Sequence, residues 1–351
     1  MNFNNKIFLD ISYNLELFLF LYKLLVIFLI YIILFFIINY KSNNLNSLFN
    51  EANDSVILNQ FENNYKNNKF IIIRRNRHGC GLFGYYISFL GCIQIFISKG
   101  YIPIIDLSSL PNIFNGFNVS SNNINQWELF FNQPFGYKLS NIKKNIKNIR
   151  YFECNLHPKK RPNSYSIFIN EIIRYFWNNI AKNYMPIKKE IINEANKIKM
   201  KLFKKSNNVL GILIRGTDYL AIRPKNHPIQ PDSRIVLRDI KLMNKKNKYD
   251  YIFLATEDDI IRDKFIKQFD NILKFIKPII KLEYNYKNKS YLGFHKNVKG
   301  NLNYLKNYLI SIIILSQCID IICSRTSGSV GVFILTKGFR NKKVYYLGVY
   351  K

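Results

Sequence analysis

The sequence predicts an α/β protein of two strand–helix units with a cleft between them, and three stretches carry that prediction. Residues 69–106 read as strand, Gly-rich turn, helix and strand, a βαβ unit that implies a parallel sheet. Residues 209–280 alternate short apolar runs with helical segments. Residues 304–336 add an apolar helix, a strand and a Ser/Thr/Gly turn that opens a last helix.

Taken in order, residues 17–40 form a hydrophobic span interrupted only by Lys23. That suffices for one transmembrane helix with some tilt. No small-residue cleavage site follows, so the span reads as an anchor rather than a removed signal. Lys6 and Lys23 on one side and Lys41 on the other do not orient it. The expected organisation is a membrane-anchor region at 1–41, a polar Asn-rich linker at 42–68, an N-terminal α/β unit at 69–205 and a C-terminal unit at 206–351.

In the N-terminal unit, 69–74 and 102–106 are apolar strands flanking a long apolar segment at 85–98. Gly79, Gly81 and Gly84 stand at G-x-G-x-x-G spacing, which raises a dinucleotide site. Asp106 lies slightly beyond the usual separation for a ribose contact, so a tight turn for close packing accounts for these glycines. Residues 107–165 are irregular and aromatic, with Trp127, Phe130, Phe131 and Pro134 in a loop-rich lobe. Residues 168–205 are helical by periodicity. The second unit runs strand 209–214, helix 233–246, strand 251–255, helix 259–269, strand 276–280, helix 304–315, strand 319–323 and helix 330–336.

At 351 residues and 48% hydrophobic, the chain can bury a large core. A net charge of +30 invites a nucleic-acid reading. The lysines, however, are scattered among abundant Asn and Ile, as an A/T-rich coding bias produces. No zinc-finger, RNA-recognition or basic-helix pattern accompanies them, so no nucleic-acid partner is expected. Five cysteines without C-x-x-C spacing, mostly inside apolar runs, read as a reduced protein with no disulfide framework. Four scattered histidines make no zinc site.

Three strand ends of the second unit carry candidate chemistry: Arg215-Gly216-Thr217-Asp218, Thr256-Glu257-Asp258 and Ser324 through Ser329. All follow parallel strands and so share one rim, where open α/β sheets bind ligands. Arg215 suits a planar grip on phosphate, with Gly216 letting the backbone come close; a strand-end salt bridge is the plainer alternative. Arg325, Thr326, Ser327, Gly328 and Ser329 offer hydroxyls and backbone N–H groups at a helix start, an anion site or simply an N-cap. Glu257 and Asp258 suit a ribose or base edge, or again a cap. Neither a Walker A lysine nor a D-x-D metal motif in a suitable context appears.

Here a resemblance becomes specific. Arg215-x-Thr217-Asp218, eight residues and His227-Pro228-Ile229 resemble the donor-binding motif of the α-1,6-fucosyltransferase family. Ala255 to Asp258 resembles that family's Ala-Thr-Asp-Asp. Leu315-Ser316-Gln317, Asp320 and the 324–329 turn resemble its last motif. The chain looks closer still to uncharacterised bacterial glycosyltransferase-like members with G-L-F-x-Y-Y (Gly81 to Tyr86), R-G-T-D and N-H-P-I-Q-P. Coverage runs over about 70–350.

The resemblance implies a GT-B-like fold of two Rossmann-like domains and an inverting, metal-independent transfer of fucose or a related sugar. The donor would be GDP-fucose or a similar nucleotide sugar, and the acceptor a surface glycan or glycolipid. Arg215 would hold the β-phosphate, the 324–329 turn would add contacts, and His227 would shape the pocket. This chain departs from the family at three places: the second arginine is Gly216, the acidic residue proposed as base is Arg223, and an aspartate near the guanine is Ser311. Asp218 is the expected base and Glu257 the second candidate. A catalytically inactive nucleotide- or glycan-binding protein is the alternative. The expected location is a single-pass membrane protein facing the bacterial cytoplasm, with a Golgi-lumen type II enzyme as the alternative.

Overall fold

Three short runs, Phe70–Arg74 (β1), Ile102–Asp106 (β2) and Arg150–Glu153 (β3), form a parallel sheet in the order β2-β1-β3. The computed structural model describes residues 69–75, 80–116, 124–145, 149–155, 160–277, 284–287 and 290–351. All belong to one compact unit, Asn68–Lys351. The expected membrane helix at 17–40 and linker at 42–68 lie outside the described residues, as does Gly79. Among the described residues no helix is long and apolar enough to cross a membrane.

The helices are Leu82–Ser98 (α1), Leu139–Asn145 (α2), Ser166–Ile169 (α3), Glu171–Tyr184 (α4), Lys189–Phe203 (α5), Thr217–Ala221 (α6), Ser233–Asn247 (α7), Asp259–Phe269 (α8), Leu302–Ser316 (α9) and Ser327–Leu335 (α10). The second sheet contains Val209–Leu213 (β4), Tyr251–Ala255 (β5), Leu273–Lys274 (β6), Asp320–Ser324 (β7) and Asn341–Tyr345 (β8). Its order is β6-β5-β4-β7-β8, every pair parallel. The order reverses between β4 and β7, and such a switch point opens a crevice beyond the strands' carboxyl ends.

Because β4 is buried on both faces, it is apolar throughout rather than alternating. Leu210, Ile212 and Leu254 pack against Val236 and Ile240 of α7 and Phe265 of α8. On the other face Val209, Leu213, Phe253 and Ile321 join a core that continues through α9 and α10 to α1 and the first sheet. α10 is apolar all round because it packs against α1, α4 and α9 at once. Gly84 in α1 has Cys80 Sγ lying where a Cβ would stand, so packing explains that glycine.

The expected helix at 168–205 is three helices. Asn170 starts α4 by accepting from Ile173 N, and Pro186 prevents α4 from running on into α5. The expected strand at 276–280 is replaced by β6, because Ile252 and Phe253 pair with Leu273 and Lys274. Ile276 and Lys277 leave the sheet, and residues 278–280 lie outside the described residues. The cysteine expectation is also corrected: Cys92 on α1 and Cys154, just after β3, are joined by a disulfide. β3 pairs with β1 and so delivers Cys154 to α1, a placement that cysteine spacing does not disclose.

Candidate functional site

Strand register assembles the site. Leu213 pairs with Ala255 on one side and Cys323 on the other. Two residues further on, Arg215, Glu257 and Arg325 therefore leave three neighbouring strands at one level. Ser324 pairs with Tyr345, which adds Tyr346 to the same row.

Arg215 lines a cleft together with Asp218 and Glu257. Its Nη2 donates to Asp218 Oδ1 at 2.7 Å. Its Nε lies 3.2 Å from Glu257 Oε1, an ion pair that lacks hydrogen-bond alignment. The guanidinium stands over the Tyr219 ring at 5.0 Å. Nη1 makes no hydrogen bond among the described residues, so its two N–H groups are unspent. Burial opposes the charge on Arg215, but Glu257 and Asp218 outweigh it and hold the group well above its ordinary value.

The two candidate bases differ. Asp218 Oδ1 takes Arg215, Tyr219 N at 3.0 Å and Thr217 Oγ1 at 3.3 Å, while Oδ2 takes Leu292 N at 3.2 Å. Both oxygens are committed, so Asp218 orients Arg215 and ties the 292 segment to the rim. Glu257 Oε1 accepts from Gly216 N at 2.9 Å and Thr217 Oγ1 at 3.0 Å. Burial pushes the Glu257 carboxyl up, Arg215 pulls it back, and Asp218 adds to the rise.

Asp258, expected to meet the donor, faces inward instead. Its Oδ1 caps α8 through Ile260 N and Ile261 N, and its Oδ2 takes Thr217 N and the Tyr286 hydroxyl. Gly216 is required here, because a Cβ would collide with the Asp258 carboxylate.

Ser324, Thr326 and Ser329 of the 324–329 turn are likewise turned inward. Thr326 caps α10 through Ser329 N at 3.2 Å, Ser329 Oγ donates to Ser324 O, and Ser324 Oγ donates to Gln230. Gly328 sits beneath the Tyr308 hydroxyl, and Ser327 is the first residue of α10. Arg325 is held by Ser164 O at 3.0 Å and does not line the cleft. His227 lies edge-on to Tyr219 with centroids 5.7 Å apart, its Nδ1 3.1 Å from Lys225 O. Arg223 is exposed at φ 53°.

Sequence reasoning missed a second polar group in the same cleft. Asp259 Oδ1 pairs with Arg262 at 2.6 Å, while Asp259 Oδ2 is buried with no partner among the described residues. Arg262 lies over the Phe275 ring at 5.8 Å. Tyr304 and Tyr308 also line the cleft, and burial raises both phenols, so they are neutral donors at neutral pH. Ser311 lines it too, though its hydroxyl donates to Asn307 O at 2.9 Å. The acidic run Glu257-Asp258-Asp259 was the available signal, but only the start of α8 shows that Glu257 and Asp259 face the cleft while Asp258 turns inward.

The chain is similar to several solved fucosyltransferase structures. NodZ α-1,6-fucosyltransferase soaked with GDP-fucose matches at 13% identity and TM-score 0.43, covering 77% of this chain and 93% of that one. Fucosyltransferase NodZ from Bradyrhizobium matches at 14% identity and TM-score 0.43, with coverage of 77% and 93%. POFUT1 in complex with GDP-fucose matches at 10% identity and TM-score 0.44, with coverage of 79% and 98%. At such identities and scores the likeness assigns no role to any residue here. Neither a protein-family model nor a curated protein matches the chain.

Proposed function

We propose that this protein is a glycosyltransferase, inverting and metal-independent, that moves fucose or a related sugar from a GDP-type donor to a surface glycan or glycolipid. One observation carries the reading: a guanidinium fixed at the sheet's switch point, lining a cleft, with two N–H donors unspent. Such a group is suited to the β-phosphate and to the charge that develops on the departing diphosphate. Arg215 supplies that charge stabilisation in place of a metal ion.

Glu257 is the base in this account, because both oxygens of Asp218 are committed. The acceptor oxygen bonds to the anomeric carbon as the carbon–phosphate oxygen bond breaks, and the acceptor proton passes to Glu257. Protonating Glu257 also removes one of the two carboxylates that neutralise Arg215, just as the leaving diphosphate needs the cation. The buried Asp259 Oδ2 is a costly acceptor without a partner among the described residues, and a donor N–H on the nucleobase would satisfy it. Residues 206–351 would hold the nucleotide sugar and 69–205 would face the acceptor, with 1–41 as the membrane anchor. The Cys92–Cys154 bond favours an oxidising compartment, and so the lumenal type II alternative over the cytoplasmic face.

The competing reading is a binding protein without catalysis. Exposed Arg223 in place of the family's acid, and a Glu257 oxygen already hydrogen-bonded, favour it. GDP release from GDP-fucose over a glycan panel in EDTA separates the two. Transfer by the wild type and its loss in Arg215→Ala, with circular dichroism unchanged, support the enzyme. Transfer retained in Arg215→Ala removes the phosphate role.

A further inference from the structure

Beyond the donor cleft the same rim carries a feature that the donor does not use. Arg325 was expected to bind the donor, yet it lies outside the cleft. Its guanidinium is bracketed by two aromatic rings, 5.9 Å from the Tyr165 centroid and 5.6 Å from that of Tyr346. The rings meet edge to face, 6.0 Å apart at 80°. Both are open to solvent: Tyr165 is 58% and Tyr346 42% exposed. Among the described residues Arg325 spends only Nε, on Ser164 O. It forms no salt bridge among the described residues, so its terminal donors are free.

We propose that Tyr165, Tyr346 and Arg325 form the acceptor-saccharide subsite. The inference rests on the donor reading of the neighbouring cleft. Two rings at nearly a right angle form a corner whose faces are apolar and whose rims carry hydroxyls. A pyranose presents the matching surface, a C–H face to stack on one ring and an equatorial fringe of hydroxyls to meet phenols and guanidinium. A nucleotide is the poorer occupant, because Arg215 with its unspent donors and Asp259 both line the cleft instead. Position supports the assignment. Arg325 leaves β7, the strand beside β4, at the level of Arg215, and Tyr346 leaves β8 at the next place in the row. Tyr165 comes from the segment before α3, so the first half of the chain supplies one wall and the second half the other. An acceptor lying along this rim would bring a hydroxyl toward the donor without entering the cleft.

The test uses the full chain with soluble glucose, mannose, galactose and N-acetylglucosamine tetrasaccharides, read by saturation-transfer NMR in the presence of GDP. At least one saccharide should bind the wild type. Tyr165→Ala and Tyr346→Ala should each weaken that binding about tenfold, and Arg325→Gln similarly. Because both tyrosines are exposed, melting temperature and its rise with GDP should stay unchanged in these variants. Saccharide binding retained in the Tyr165→Ala/Tyr346→Ala double variant, or no saccharide bound by the wild type, overturns the subsite. Absence of any GDP effect in the wild type overturns the donor reading instead, and the saccharide signal reports independently of it.

Discussion

Glu257 sits where two demands meet, since one oxygen anchors the Gly216–Thr217 backbone turn while the carboxyl stands against Arg215. Its raised proton affinity has a definite sign. The folded state holds the proton more tightly than the unfolded chain does. Its contribution to stability is therefore most favourable below the unfolded value, and declines as pH climbs from there to the folded one. The proposed transfer needs the deprotonated form. The acid limb of kcat/KM should therefore lie above the ordinary glutamate range, and Glu257→Gln should abolish transfer and flatten stability over that window. An acid limb at the ordinary glutamate value removes Glu257 as base. Arg215 to Asp218 was legible in the sequence because four chemically pointed residues lie contiguously at a strand end. Asp259, Tyr304 and Tyr308 were not, because each is one face of a helix, and a sequence does not say what that face meets.

At the scale of elements, the β4–α6 turn and the start of α8 are one assembly. Asp258 caps α8, holds Thr217 N, and leaves no room for a side chain at Gly216. Gly216→Ala should cost about 1–3 kcal/mol by overcrowding, and should also remove nucleotide binding by displacing Thr217 and Arg215. Urea denaturation and a GDP titration measure the two effects, and a variant of wild-type stability contradicts the packing argument. β4, β5, α7 and α8 were readable because buried apolar runs and capped amphipathic helices announce themselves. β3 and β8 were not, since these edge strands are not apolar runs: β3 exposes most of its residues and β8 carries the exposed pair Lys342 and Lys343. Ile276, the first residue of the expected strand 276–280, misled in the opposite sense. Its apolar character, like that of Phe275, serves the cleft wall rather than a strand.

Across the whole molecule, the order β6-β5-β4-β7-β8 places the functional rim at one reversal, and helices α9 and α10 carry the core from that sheet to the first. This part of the fold followed from the sequence through its alternation of strand and helix, whereas the Cys92–Cys154 link depended on an edge strand that the pattern hid. Alkylation of the unfolded, unreduced chain should label only Cys80, Cys318 and Cys323, and reduction should release the other two thiols. Labelling of all five without reductant contradicts the bond and, with it, the proposal of an oxidising compartment. The central claim is that the cleft takes a GDP-type donor through Arg215 without metal. Its most direct test is a thermal-shift titration of the full chain with GDP, UDP, CDP, dTDP and their sugars in EDTA, alongside Arg215→Lys and Asp259→Asn. GDP or its sugar should stabilise the wild type by about 2.7 kcal/mol at a hundredfold excess over Kd. That gain should be lost in Arg215→Lys and reduced in Asp259→Asn. No stabilisation by any of these nucleotides would contradict the account.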